Sequence, residues 1–194
     1  MCTRPDQRGF SMIELVMFIV IVGIALAGVM LAMNMVTRGS SDPLIHKQAL
    51  AIAESLLEEV ELMPFTFCDP DDVNAATAAS AVVAVGSCAT TVEALGPEAG
   101  ETRYDAITPF DNVSDYNGFA MAAGALLDIT GTPVGPAGYA AAVTVAPAGI
   151  PAVGGSPAIA ADEALLITVT VTGPNGKQVV LDGIRTRYAP RAVP

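Results

Sequence analysis

The sequence predicts an α+β protein: a long N-terminal α-helix, apolar in its first half, packed through its second half on an antiparallel β-sheet head. Three observations carry this. Leu15 to Met33 is an apolar run of nineteen residues without a charge. At about 1.5 Å of rise per residue, such a helix crosses most of a hydrocarbon layer about 30 Å thick. Leu50, Ala53, Leu57 and Val60 then recur at spacings of three and four, an apolar stripe at helical period. From Phe65 onward Gly, Pro, Thr, Val and Ala dominate, and alternation replaces helical spacing.

Taken in order, residues 1–9 form a short basic leader with Arg4, Arg8 and Asp6. Residues 10–37 form the membrane-length helix. Gly23/Ala27 and Gly28/Ala32 are small-xxx-small pairs, which either let helices approach closely in lipid or are simply tolerated there. Arg38–Pro43 reads as a break, with Gly39 ending one helix, Ser41 or Asp42 capping the next and Pro43 in its first turn. Residues 38–63 complete the helical part. Glu54, Glu58 and Glu61 make its other face acidic and solvated, and Pro64 closes it. Residues 64–194 form the β-rich head. Ala81–Val85 reads as a strand, or Ala75–Ala84 as a short helix. Tyr104 to Phe119 reads as an ordered loop with aromatic anchors. Tyr139–Val145 and Leu165–Thr172 read as strands, and Gly173–Gly176 as a turn. Gln178–Leu181 returns, continued by Ile184–Tyr188 past a Gly183 bulge.

One residue at the mouth of the apolar run breaks the pattern of a plain anchor. Glu14 is a carboxylate at the membrane entrance, and such residues are costly in lipid without a partner. Ser11 and Glu14 also have capping-box spacing, so Glu14 could simply cap the helix start. An ordinary secretory signal fits less well, because the apolar run exceeds 7–15 residues and lacks a small-x-small exit.

Arg8-Gly9-Phe10-Ser11-Met12-Ile13-Glu14, opening a long apolar helix, resembles the class III signal of type IV prepilins and pseudopilins. The resemblance implies a pilin-like fold and cleavage between Gly9 and Phe10 by a prepilin peptidase, which would also N-methylate Phe10. It further implies that Glu14 acts in assembly. The implied setting is the bacterial inner membrane, with one pass, a cytoplasmic N-terminus and a periplasmic head, and later a pilus or pseudopilus fibre. The implied partners are the peptidase/N-methyltransferase, other major and minor pilins, an inner-membrane assembly platform and membrane lipid. Many members carry a proline within the apolar helix; here none stands between Phe10 and Asp42.

Charge narrows the field. The chain carries −11, and removing residues 1–9 makes the remainder one unit more negative. No basic cluster exists, so nucleic acid is not an expected partner. With one histidine, no P-loop, no G-x-G-x-x-G and no H-E-x-x-H, an enzyme is not expected. Cys2 falls in the leader. Cys68 and Cys88 are then an even pair in an exported chain, and a disulfide is the reading an oxidising compartment favours over two free thiols or a metal pair. No cofactor is expected. Calcium is a weaker alternative, with Asp69, Asp71, Asp72, Asp111 and Asp115 as oxygen donors in acidic loops, but no EF-hand spacing appears and turn chemistry explains the same residues.

Two further segments resemble one branch. Phe110-Asp111-Asn112-Val113-Ser114-Asp115-Tyr116-Asn117-Gly118 and the ending from Ile167 to Pro190 are similar to the minor pilin-like protein D family of the mannose-sensitive haemagglutinin pilus. The helix around Gln48–Glu54 fits as well. The resemblance implies a minor pilin or pseudopilin that initiates, caps or modifies a type IV-like filament. The alternatives are a tip-located binding module, for which an exposed pocket at Tyr116, Tyr139 or Phe119 would speak, and a pseudopilin of a type II secretion system.

Overall fold

The computed structural model describes residues 9–191 and Val193, so the leader reading for residues 1–8 lies outside the described residues. The elements are α1 (Met12–Leu62), a four-residue 3-10 turn (Val113–Tyr116), β1 (Ala120–Met121), β2 (Ala140–Pro147), β3 (Ala164–Thr172) and β4 (Gln178–Thr186). The chain divides into two compact units, with the cut between Leu44 and Ile45.

α1 is one continuous helix of 51 residues with Pro43 inside it. The break expected at Arg38–Pro43 is therefore not made. Proline removes one helical N–H and crowds the preceding turn, but it does not stop a helix when the sequence on both sides favours one. Met12–Val36 is long and apolar enough to cross a membrane, and none of it is buried within the protein.

In the second unit the sheet has the order β1-β2-β3-β4, all neighbours antiparallel. Its inner face follows from alternation. Ala141, Val143 and Val145 of β2, Leu165, Ile167, Val169 and Val171 of β3, and Val179 of β4 are buried, while the threonines between them face outward. Ala49, Ala53, Leu56 and Val60 join them in one core. The buried stripe of α1 is thus rotated from the expected one. Leu50 and Leu57 sit on its flanks, because alanines in the centre let the helix approach the sheet.

Gly183 pairs with Ile167 in an unbroken β3–β4 ladder, so it is not a bulge. Its role is close approach: a Cβ there would lie 2.9 Å from Leu57 Cδ1 and would collide with the Glu61 carboxylate. Glu61 is accordingly half-buried, while Glu54 and Glu58 are exposed as expected. The segment 75–85 is neither strand nor helix. It is a run of turns with one bridge between Val83 and Cys88, since alanines with no apolar partner stripe cannot anchor either element. Cys68, Ala75, Ala78 and Cys88 make a second, smaller core there, and Cys68–Cys88 is a disulfide with Cα atoms 5.5 Å apart.

Candidate functional site

Three groups of side chains stand out by chemistry. The first is the start of α1. Gly9, Phe10 and Ser11 are non-helical and exposed, with Phe10 88 % exposed, so the Gly9–Phe10 bond is accessible backbone ahead of the helix. Ser11 caps the helix: its Oγ accepts from the Glu14 N–H at 3.3 Å, and its carbonyl accepts from the same N–H at 3.1 Å. The return bond from the Glu14 side chain is absent among the described residues. Capping thus leaves the Glu14 carboxylate unused and exposed, lining one depression with Phe10, Leu15 and Phe18. Gly23 and Gly28 have nothing within 4 Å of where a Cβ would be.

The second group was not foreseen. Arg103, 4 % exposed, forms a two-pronged bond to Glu59, with Nε to Oε1 and Nη2 to Oε2 both at 2.6 Å. It also donates to the carbonyls of Leu127 and Asp128 and to the Tyr104 hydroxyl. Tyr116, fully buried, donates its hydroxyl to Glu59 Oε1 at 2.7 Å. Burial works against the Arg103 charge, but Glu59 outweighs it and holds the guanidinium above its ordinary range. Burial and the Glu59 charge likewise push the Tyr116 phenol up. Phe110, Tyr116 and Phe119 meet edge to face around this network. Tyr139 is also buried, its hydroxyl donating to Gln48 at 2.8 Å. The exposed aromatic pocket that would speak for a binding module is therefore not formed by Tyr116 or Tyr139. A sequence signal for this network does exist: Arg103 is the sole basic side chain between Lys47 and Lys177 in an acidic chain.

The third group is acidic. Asp69, Asp71, Glu101 and Asp111 bring carboxylate oxygens within 4.8 Å of one another, and so do Glu93, Glu98 and Asp115. Asp69, Asp71, Asp111 and Asp115 were candidates from sequence; Glu93, Glu98 and Glu101 were missed. Asp72 does not join. Its oxygens accept from the N–H groups of Asn74, Ala89, Thr90 and Thr91, which hold its carboxyl far below the usual range. Asp105 likewise closes its own turn onto Ile107 and Thr108. Within the clusters the direction is opposite. Burial first, then neighbouring acids, pushes Asp111 up to about 7. Burial pushes Asp115 up to about 6 and Glu93 up to about 9, partly offset by hydrogen bonds.

Local structure explains how distant residues meet. A bridge pairs Cys68 with Val92 beside the disulfide, and Glu93 N–H reaches the Phe67 carbonyl at 3.2 Å. Gly96 N–H bonds the Ser114 carbonyl at 2.9 Å, and Val113 N–H bonds the Pro64 carbonyl at 3.1 Å. The 3-10 turn carrying Asp115 is thereby tied to both the 93–101 loop and the segment that leaves α1.

Comparison with known proteins bears on the first group. Residues 4–30 match the family model for the prokaryotic N-terminal methylation motif. No curated protein and no solved structure matches the chain. The chain thus opens with a type IV pilin signal, which supports the prepilin/pseudopilin superfamily. That signal implies processing by a prepilin peptidase and assembly as a structural subunit anchored in a membrane by the apolar half of α1.

Proposed function

We propose that this chain is a minor subunit of a type IV-like filament, of the mannose-sensitive haemagglutinin kind, that initiates, caps or modifies assembly. The observation that carries the reading is the unpartnered Glu14 carboxylate at the mouth of an apolar helix, four residues after Phe10. Cleavage after Gly9 gives Phe10 a free, positively charged amine. In lipid that charge and the Glu14 carboxylate attract far more strongly than in water. An incoming subunit is drawn into axial register when its amine meets the Glu14 of a subunit already docked. Gly23 and Gly28 keep the helix slim where neighbours pack. The basic leader stays in the cytoplasm, the helix crosses once, and the disulfide-bearing head lies outside. The burial of Tyr116 and Tyr139 favours a head that packs with other pilins over one that presents an aromatic binding pocket.

Glu14→Val in the native host tests this reading. Mass spectrometry should find the chain still cut to Phe10, while immunoblots of sheared filaments should show incorporation falling at least about tenfold, the effect of losing roughly 1.4 kcal/mol or more of attraction. Normal incorporation of the variant would overturn the role of Glu14.

A further inference from the structure

The inner acidic cluster has the geometry of a cation site. Two oxygens bound to one calcium ion at about 2.3–2.6 Å lie no more than about 5 Å apart. The ligand oxygens of Glu93, Glu98 and Asp115 satisfy that limit pairwise, all lying within 4.8 Å. Asp115 is 0 % exposed; its Oδ2 accepts from the N–H groups of Asp111 and Asn112, and its buried Oδ1 has no hydrogen-bond partner. Glu93 repeats the arrangement: Oε1 accepts from Ser114 Oγ, and Oε2 is buried without a partner. A buried acceptor left empty is costly, more so when charged, and here two members of one cluster each carry one. Among the described residues no basic side chain forms an ion pair with these acids. Arg103 is committed to Glu59, and Arg187, though near enough to feel Glu93, lies over the rings of Phe65 and Phe67 at 3.9 and 4.8 Å.

We propose that the head binds a calcium ion between Asp115, Glu93 and Glu98. The donors are hard oxygens only, which excludes a thiolate or imidazole metal site. Three carboxylates from a loop and a 3-10 turn suit calcium, with its six to eight ligands and flexible geometry; magnesium prefers one or two carboxylates and retains its waters. The ion would fasten the 93–101 loop to the turn at Val113–Tyr116, where the backbone is already clipped by Gly96 and Ser114. Carboxylates bind the ion in their deprotonated form, so binding would also release protons.

The test is titration of the full chain in detergent micelles with calcium chloride by isothermal calorimetry, alongside thermal unfolding. One ion should bind, with Kd on the order of 0.1–1 mM as in other extracellular modules. The observed heat should differ between buffers of different ionisation enthalpy, which reports proton release, and binding should weaken at least about fivefold from pH 7.5 to pH 5.5. Magnesium chloride should bind at least about tenfold more weakly. Asp115→Asn and the half-buried Glu98→Gln should each lose about tenfold in affinity, while Asp71→Asn, at the exposed member of the neighbouring cluster, should change it less than about threefold. Glu98→Gln keeps the test decisive if Asp115→Asn misfolds. Absence of heat and of any Tm shift up to about 10 mM calcium overturns the proposal. So does affinity lost in Asp71→Asn but kept in Glu98→Gln.

Discussion

Glu14 and Glu59 stand on the same helix and meet opposite fates. Glu59 faces the head and is satisfied within the chain, by the Arg103 guanidinium and the Tyr116 hydroxyl. Glu14 faces outward among Phe10, Leu15 and Phe18, with no donor or cation for its side chain among the described residues. The difference lies in where the partner comes from. An acid in an apolar setting needs neutralisation, and a helix can find it in its own fold or in another molecule. The first choice builds a stable domain; under the proposed function, the second builds an assembly.

The strongest way to break this contrast is Arg103→Ala. It strands Glu59 and should cost about 3–5 kcal/mol, which lowers Tm on the order of 10 °C, while membrane insertion of α1 stays unchanged. Thermal unfolding followed by circular dichroism measures the first and carbonate extraction of membranes the second. An unaltered Tm would mean that Glu59 needs its partner no more than Glu14 does. Next in size is the Cys68–Cys88 bond. Its removal by Cys68→Ser with Cys88→Ser frees a 20-residue separation and should cost about 3 kcal/mol, read as a lower denaturant midpoint. Glu14→Val should leave that midpoint untouched, which sharpens the contrast from the other side.

The last test is a pH slope, read for its sign. Asp115, Asp111 and Glu93 have folded values of about 6, 7 and 9, above the ordinary 3.8 and 4.5. The folded head therefore holds more protons than the unfolded chain between those limits, and its stability falls as pH rises through them. Asp72 acts oppositely: its contribution is present above the ordinary carboxylate range and is lost on acidification. In calcium-free buffer the head should be most stable in mild acid and should weaken from pH 5 to pH 9, as thermal unfolding across that range would show.

Sequence pattern and structure agree where the signal is local. The apolar half of α1, the alternation in β2 and β3 and the turn at Gly173–Gly176 are all periodic features, readable residue by residue. Agreement fails where a contact joins distant segments. Glu59 meets Arg103 across 44 positions, and Glu93 meets Ser114 across 21, so neither pairing leaves a trace in any short window. The Gly183 reading failed for the same reason. A glycine in a strand can mark a bulge or a close neighbour, and the neighbour here is a helix more than a hundred residues earlier. Pro43 failed in the other direction, because a local breaker was overruled by helix-forming sequence on both sides.

The small lobe around Asp72 has a thermal consequence. Four small side chains form its apolar centre, and its shape depends mainly on one covalent link and on amides converging upon a single carboxylate. Opening it would wet little oily surface, so its heat-capacity increment is slight. Chilling, which loosens structures held by water's aversion to hydrocarbon, has little purchase on this corner, and it should outlast the main sheet as the temperature drops.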